Sequence, residues 1–268
     1  MKVITFGTLK GGVGKTMLCF NVAGVLSQLG HKVLIIDSDL QGNLTNNIGI
    51  DRTTPGLLTL YDIYGSDSQP KPDDLVYKSP NRHLPNLDII PGSMFLHRAE
   101  IILSKMSSRE LILRNYIKEN SSFFSQYSHI LVDTNPSMSL VNQNAFAASD
   151  SILLISDISM NSLEGSQLFI ALWEETRSRL RLPDNIRGFI VNDFDTRTKL
   201  SSDLAEYLIT ADEVSDLRDL LMHTIIPRTV RITEAELSAM PINLYDAKSK
   251  GSEAIASLVK ELSEKNIL

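Results

Sequence analysis

The chain has 268 residues, of which 43% are hydrophobic and 22% charged, a balance typical of a globular protein with an ample core. Its 26 basic and 32 acidic residues leave a formal net charge of −6, which excludes a surface coated with basic charge, so any contact with nucleic acid needs a local patch. One cysteine excludes an internal disulfide, and the lack of a signal peptide or of an apolar run near the roughly 18 residues of a membrane span predicts a cytoplasmic protein with no membrane contact.

The first predicted elements are a short buried strand, Val3–Phe6, and a helix on which Leu18, Val22, Val25 and Leu29 share one face. Between them lies a glycine-rich stretch that reads Leu-Lys-Gly-Gly-Val-Gly-Lys-Thr over positions 9 to 16. A strand, a glycine-rich loop and a helix in this order form the setting of a phosphate-binding loop, and the alternative is a plain glycine turn. The glycines allow successive backbone N–H groups to point at an anion, and the start of the helix adds partial positive charge.

The glycine-rich stretch also contains the two side chains that such a loop needs. We predict that Lys15 contacts the β and γ phosphates of a nucleotide and that the Thr16 hydroxyl binds Mg²⁺. The predicted nucleotide contacts in this part of the chain are Lys10, Gly11, Gly12, Val13, Gly14, Lys15, Thr16 and Met17.

Lys10 is a second lysine that phosphate binding does not require, because Lys15 already supplies the charge. The sequence KGGVGKT with this additional lysine resembles the signature of the ParA/MinD family of deviant-Walker P-loop ATPases. The resemblance implies ATP and Mg²⁺ as cofactors and ATP hydrolysis. It also implies a homodimer formed on ATP binding, in which Lys10 crosses the interface to the nucleotide of the second subunit. The alternative for Lys10 is a solvated surface lysine.

The resemblance extends from Lys2 to about Leu262 and so covers nearly the whole chain. It implies an α/β fold of the P-loop NTPase type, in which a doubly wound, mostly parallel sheet is flanked by helices. The sequence has neither an internal repeat nor a linker that would divide it, so residues 1–268 are predicted to form a single domain. No helix-turn-helix segment precedes the first strand, which makes the chain similar to short ParA proteins that lack an operator-binding domain.

A second strand, Lys32–Asp37, ends in an aspartate, and the carboxyl ends of parallel strands are where such sheets place active residues. The segment that starts at this aspartate, Asp-Ser-Asp-Leu-Gln-Gly-Asn, resembles the family's switch segment D-x-D-P-Q-G-N. The match implies that Asp39 positions the attacking water and that Asp37 supports the Mg²⁺ shell. Leu40 stands where the family has proline, which predicts a looser local backbone.

Another strand, Ser128–Asp133, also ends in an aspartate, and Asp133 is predicted to face Mg²⁺ as a Walker B carboxylate. Asn135 follows where the family has proline. The remaining strands are predicted at Leu87–Ile90, Ser151–Ile155 and Gly188–Asn192, and helices at Leu57–Tyr64, Met94–Lys105, Arg109–Glu119 and Leu163–Arg179. A loop is predicted over Ser66–Pro72.

Three residues in the second half of the chain are candidates for contact with the base of the nucleotide. Asn192 ends a predicted strand and is a candidate for the adenine edge, and the loop that contains Pro227 and Arg228 is a candidate to close over the base. For Arg228 a surface ion pair is an equal alternative.

Two small basic clusters, Phe194–Lys199 and Ile226–Arg231, interrupt an otherwise acidic chain. The second resembles the family's I-P-R-N-V-R-L-S-E-A segment. In chromosomal ParA relatives the arginines at the positions of Arg197 and Arg231 bind DNA without sequence preference, and Lys199 is a candidate to join them. The alternative is that these arginines form surface ion pairs with neighbouring acidic residues.

The last predicted helix, Ser252–Glu264, has an apolar stripe of Ile255, Leu258, Val259 and Leu262, which predicts packing on the core. MinD relatives end in a basic membrane-binding helix, and this acidic tail does not favour that role. The favoured interpretation is a nucleoid-associated partition ATPase that holds non-specific DNA and is stimulated by a ParB-like partner. The alternatives are a ParA-like ATPase that positions a protein cargo, a MinD-like membrane regulator and a metabolic P-loop enzyme.

Overall fold

The computed structural model describes residues 1–65, 68–195 and 197–268. Within these ranges six strands form one sheet: β1 (Lys2–Gly7), β2 (Val33–Ser38), β3 (Leu87–Ile90), β4 (His129–Thr134), β5 (Ser151–Ser156) and β6 (Ile186–Val191). All paired neighbours run parallel, in the order β3-β2-β4-β1-β5-β6. Because β2, β3 and β4 lie on one side of β1 and β5 and β6 lie on the other, the sheet is doubly wound, as predicted.

The six predicted strands are confirmed, with ends that differ by no more than two residues. Each is an almost continuous apolar run because helices cover both faces of the sheet. Ile4 and Phe6 point to one face, whereas Val3 points to the other, and all three are buried. The sheet therefore has a core on each side, and its polar residues are concentrated where the strands end.

The helices of the described residues surround this sheet. They are α1 (Lys15–Gln28), α2 (Asn43–Asn47), α3 (Leu60–Gly65), α4 (Pro72–Leu75), α5 (Leu96–Leu103), α6 (Ile112–Glu119), α7 (Ser121–Phe124), α8 (Leu140–Ala148), α9 (Met160–Arg179), α10 (Lys199–Thr210), α11 (Ser215–Leu220), α12 (Val230–Leu237), α13 (Ile242–Tyr245) and α14 (Lys250–Glu264). Helices α1, α13 and α14 pack together over one face, while α3, α5, α6 and α8 cover the other. Helices α9 and α11 cover the β5–β6 end.

The structure corrects several helix predictions. Leu29 was predicted on the buried face of α1, but it lies just after the end of that helix and is 65% exposed. Helix α1 is buried on nearly all sides, so a single apolar stripe does not describe it. Helices α5 and α6 begin two to three residues later than predicted. Ser66 and Asp67 of the predicted loop lie outside the described residues.

Helix α14 packs on the core through the predicted stripe, since Ile255, Leu258, Val259 and Leu262 are all buried in the same cluster as β1 and α1. Its apolar face is therefore already covered within the chain. No helix in the part of the chain that the structure describes is long and apolar enough to cross a membrane.

Candidate nucleotide-binding site

The glycine-rich loop joins β1 to α1 at the carboxyl end of the sheet. Gly12 and Gly14 have φ angles of 78° and 87°, a left-handed conformation that only glycine adopts without strain. A Cβ on Gly14 would also overlap the side-chain amide of Asn192. The loop therefore needs glycine for its backbone and for close packing, and it delivers Lys15 as the first residue of α1.

Lys15 is only 6% exposed although it carries an ammonium group. Burial lowers its pKa, and the nearby carboxylates of Asp133 and Asp39 oppose that change. A lysine held inside the protein at the start of a helix adds a second source of positive charge to the helix N-terminus. This arrangement suits a bound phosphate chain, which would replace the water that the ammonium has lost.

Thr16 and Asp133, the two predicted Mg²⁺ ligands, contact each other beside Lys15. The Thr16 hydroxyl donates a 2.7 Å hydrogen bond to Oδ2 of Asp133, while Oδ1 of Asp133 is buried without a hydrogen-bond partner among the described residues. Burial and the carboxylate of Asp37 raise the pKa of Asp133 to about 8. An unpaired buried carboxylate oxygen next to a hydroxyl is a suitable partner for a hydrated cation.

Three buried carboxylates converge on this end of the sheet, whereas one buried lysine opposes them. The three are Asp37, Asp39 and Asp133, and the first and third are register neighbours on β2 and β4. In the described part of the chain no group of three or more His, Cys, Asp or Glu side chains is arranged to hold a metal by itself. Mg²⁺ fits that donor set, because it is usually bound by one or two protein groups together with phosphate oxygens and water.

Asp37 makes its contacts within the protein. Its Oδ2 accepts hydrogen bonds from the Thr45 backbone N–H (2.9 Å) and hydroxyl (2.6 Å), and its Oδ1 accepts one from the Asp39 N–H (3.1 Å). Burial raises its pKa to about 6, and the bonds from Thr45 oppose that shift. Asp37 thus fixes the segment that follows β2, which is consistent with a supporting role near Mg²⁺.

Thr45 and Gly92 help to position Asp37, and neither was predicted from the sequence. The Thr45 hydroxyl accepts a 2.8 Å hydrogen bond from the backbone N–H of Gly92, in the loop after β3. A Cβ on Gly92 would lie 2.8 Å from the carboxyl carbon of Asp37. The glycine two residues after the buried strand β3 was the signal for this close approach, but only the folded chain identifies the carboxylate that it admits.

Asp39 lines a cavity of about 260 Å³ together with the glycine loop, Lys15 and Thr16. Its Oδ1 accepts a hydrogen bond from the Gln41 backbone N–H at 2.9 Å. Asp39 therefore lies in the same cavity as the predicted phosphate contacts. Leu40, which replaces the family proline, is 38% exposed and lines a neighbouring cavity of about 540 Å³ with Asn135.

Another cavity, of about 440 Å³, lies between the glycine loop and α12. Its lining includes Met17, Asn192, Pro227 and Arg228, so the structure brings together the residues predicted to contact the base. The Asn192 side-chain amide donates to the Val13 carbonyl oxygen at 2.7 Å, while its Oδ1 is buried without a partner among the described residues.

Arg228 lines this cavity and is held in place through both its side chain and its backbone. Its guanidinium pairs with Asp193 at 2.9 Å, and its backbone N–H donates to Phe194. The ion pair that sequence analysis kept open for Arg228 is therefore present. This ion pair ties the loop that contains Pro227 and Arg228 to the residues that follow β6.

Lys10 does not extend into solvent in the single chain. Its ammonium lies 2.8 Å from Oδ2 of Asp157 and donates to the Ser159 hydroxyl at 2.9 Å. Hydrogen bonds from Lys10, Ser162 and Ser159 lower the pKa of Asp157 against the opposing effect of burial. In the single chain Asp157 holds the ammonium of Lys10. Lys10 in this state is therefore neither a free, solvated surface lysine nor available to a second subunit.

The predicted DNA contacts are exposed, and both arginines have acidic neighbours. Arg197 pairs with Asp195 at 2.8 Å, and Arg231 pairs with Glu234 at 2.8 Å and with Asp246 at 3.5 Å. These are the surface ion pairs of the alternative interpretation. Lys199 is exposed as the first residue of α10. Thr196, within the first basic cluster, lies outside the described residues.

The chain is similar to known proteins over nearly its whole length. Residues 1–183 match a family described as an AAA domain. The chain is 32% identical to the chromosome partitioning protein ParA of Caulobacter vibrioides over 98% of this chain and 94% of the relative. It is 34% identical to the sporulation initiation inhibitor protein Soj of Bacillus subtilis over 98% of each chain. Among solved structures, the septum site-determining protein MinD of Pyrococcus horikoshii, complexed with Mg-ADP, is 26% identical with a TM-score of 0.74, over 98% of this chain and 96% of that one.

Proposed function

The chain belongs to the ParA/MinD family of P-loop ATPases, and on that premise we propose that it is a partition ATPase that binds ATP with Mg²⁺, pairs with a second copy and then holds DNA without sequence preference. Hydrolysis returns it to a state that releases DNA. The observation that carries the proposal is the similarity to ParA and Soj over 98% of the chain, and it is supported by a cavity that the glycine loop lines together with Lys15, Thr16 and Asp39.

The residues at the carboxyl end of the sheet divide the work of binding and hydrolysis. The glycine-loop N–H groups and Lys15 bind the phosphates, and Thr16 and Asp133 hold the hydrated Mg²⁺. When bound, Mg²⁺ neutralises the negative charge that develops on the phosphates. Asp39 orients the attacking water, and the bonds from Thr45 to Asp37 keep the Asp39 segment in position.

Lys10 connects the two states of the proposed cycle. In the single chain its ammonium is held by Asp157 and Ser159. In the ATP-bound pair it contacts the nucleotide of the second copy, so pairing exchanges an internal carboxylate for a phosphate. When Lys10 leaves, the carboxylate of Asp157 keeps the hydrogen bonds from the Ser159 and Ser162 hydroxyls, so it is not left unpaired and the exchange is accessible.

DNA binding rests on local patches, because the net charge of −6 repels phosphate at long range. Arg197 and Arg231 are exposed, and exposed ion pairs to Asp195 or Glu234 are weak enough to be exchanged for DNA phosphates. A pair of chains doubles each patch, which makes binding depend on ATP. A ParB-like, DNA-bound protein is the partner that would stimulate hydrolysis.

A second candidate is an ATPase of the same mechanism that positions a protein cargo. The ion pairs of Arg197 and Arg231 favour it, because they reduce the positive charge that these residues offer to DNA. A membrane-binding role is less favoured, because the apolar stripe of α14 is buried against the core.

The decisive experiment measures binding to fluorescent DNA duplexes of unrelated sequence by anisotropy, with no nucleotide, with ADP and with ATP, each with Mg²⁺. Asp39→Ala, which loses the water-positioning carboxylate, serves to hold the ATP state. The proposal expects tight, sequence-independent and salt-sensitive binding with ATP alone. If the ATP-bound pair binds DNA no better than the nucleotide-free chain at low salt, the DNA role is wrong and the protein-cargo role takes its place.

A further inference from the structure

Glu236, on α12, lies where the two cavities of the nucleotide site meet. The phosphate-side cavity is the one of about 260 Å³ that contains Lys15 and Asp39, and the base-side cavity is the one of about 440 Å³ that contains Asn192 and Arg228. The two share four lining residues, Gly12, Gly14, Met17 and Glu236. In a nucleotide the ribose connects the base to the phosphates, so a nucleotide that occupies both cavities places its ribose at this junction. Neither the sequence motifs nor the proposed mechanism gives Glu236 a role.

Of the four shared residues, Glu236 alone has a polar side chain. Two are glycines and the third is an apolar methionine, so the junction can recognise hydroxyl groups only through this carboxylate or through backbone atoms. Ionised carboxylates are acceptors with two oxygens, and charge-assisted hydrogen bonds are shorter and stronger than neutral ones. The vicinal hydroxyls of a ribose are the donors that fit such a group.

The contacts of Glu236 leave acceptor capacity free. Oε1 accepts a long hydrogen bond of 3.4 Å from the side-chain amide of Asn47 on α2, and no hydrogen bond to Oε2 occurs in the ranges that the structure describes. The other carboxylate of the base-side cavity, Asp193, is paired with Arg228 through both of its oxygens. Glu236 is thus the acidic side chain of this cavity that retains an acceptor for a ligand.

We propose that Glu236 binds the ribose hydroxyls of the nucleotide and makes the site selective for ribonucleotides over deoxyribonucleotides. The inference rests on the nucleotide site of the proposed function and adds its sugar specificity. Asn47, which contacts this carboxylate, lies on α2, and α2 begins at the last residue of the switch segment, Asn43. A sugar bound there therefore touches α12 directly and the switch segment through Asn47.

The test compares ADP with its 2′-deoxy and 3′-deoxy forms by isothermal titration calorimetry, with Mg²⁺. ADP avoids both hydrolysis and ATP-driven pairing. Calorimetry needs no fluorescent label on the sugar, so the ligands differ only in the hydroxyl that is removed. We expect at least one deoxy form to bind about tenfold more weakly than ADP, as the loss of a hydrogen bond to a charged acceptor predicts. In Glu236→Ala the three ligands should bind alike, at about the affinity of the weaker deoxy form in the parent.

Two further variants make this result specific. Glu236→Gln retains one acceptor oxygen without the charge and should keep a reduced preference for ADP. Glu253→Ala removes an exposed carboxylate from α14, which lines neither cavity, and should keep the full preference. Because each ratio compares ligands on the same variant, a general loss of stability or of phosphate affinity cancels.

The possible failures are distinguishable. If the parent binds all three ligands equally, or if Glu236→Ala keeps the parent's ratio, the ribose contact is wrong while the nucleotide site stands. If the parent binds no adenine nucleotide at all, the nucleotide site and the ribose contact fall together.

Discussion

The phosphate end of the nucleotide site and the proposed DNA surface hold charge in opposite ways. At the phosphate end Lys15 is 6% exposed and Asp133 is fully buried, and the fold fixes both beside Thr16. On the proposed DNA surface the side chains of Arg197 and Arg231 are 81% and 57% exposed, and each is paired with an acidic neighbour. A buried charge without its partner is costly, whereas exposed charges change partners easily. The first region is built to bind one ligand tightly, and the second can exchange its contacts.

Lys15→Ala gives the sharpest test of the buried end and should have the largest effect. Removing the ammonium leaves the carboxylates of Asp39 and Asp133 facing the phosphates without a counter-charge. We expect nucleotide affinity to fall about a hundredfold or more, because charge-assisted hydrogen bonds in a partly dry loop are lost. Calorimetric titration with ADP and Mg²⁺ measures it, with circular dichroism as the control for folding. Affinity close to that of the parent would show that the loop does not bind phosphate.

The sequence predicted the buried end well because one short stretch encodes most of it. The strand before the loop, the glycines and the helix after it fix the position of Lys15 and Thr16 through the backbone, and the aspartates that end β2 and β4 meet them because parallel strands end at one edge. Asp37 and Asp133 could therefore be named before the fold was known, whereas Asp39 was named from the resemblance of the segment that follows β2.

Contacts that depend on tertiary packing could not be read in the same way. Thr45 and Gly92 support Asp37 from two other segments, and Glu236 reaches the site from the far end of the chain. The ion pairs of Arg197 and Arg231 use acidic residues close in sequence, but the sequence leaves open whether they bind each other or a phosphate. The local sequence pattern could not predict the contact between Asp157 and Lys10, because Lys10 lies in the loop after β1 and Asp157 in the loop after β5.

The alanine variants of Lys10 and Asp39 should separate pairing from hydrolysis. Lys10→Ala should bind nucleotide as a single chain but fail to pair with ATP, because the contact across the interface is lost. Asp39→Ala should pair and stay paired, because water is no longer oriented while the interface is intact. Size-exclusion chromatography with ATP and Mg²⁺ measures both. Two variants that pair and dissociate like the parent would rule out this division of roles.

The Lys10–Asp157 contact predicts a smaller effect of the opposite sign. Asp157→Asn removes the charge that holds Lys10 in the single chain and retains a similar shape. Because the pair is about one-third exposed, we expect ATP-driven pairing to strengthen only about two- to fivefold. Sedimentation over a concentration series with ATP measures the pairing constant. Weaker pairing in Asp157→Asn would mean that Asp157 contributes to the interface itself and does not compete with it.

The exposed arginines should show the smallest effect on the protein and a selective effect on DNA. Arg231→Ala and Arg197→Ala should leave the thermal midpoint unchanged within error, because exposed ion pairs contribute little to stability. Four to six phosphate contacts per pair of chains predict a log–log salt slope of roughly −4 to −5, and losing Arg231 from both chains should flatten it by about two. The loss should be equal for all DNA sequences, since phosphate contacts carry no sequence information.

Arg187→Ala is the matched control for this last prediction. Arg187 is also an exposed arginine in an i,i+3 type ion pair, with Asp184, but it lies at the start of β6, the end of the sheet opposite to the nucleotide site. Its removal subtracts the same charge from the chain without touching the proposed surface. If Arg187→Ala flattens the salt slope as much as Arg231→Ala does, the effect reports net charge alone. If only Arg231→Ala and Arg197→Ala change it, the ion pairs seen in the single chain are the ones that DNA replaces, and the exposed region differs from the buried one in function as well as in structure.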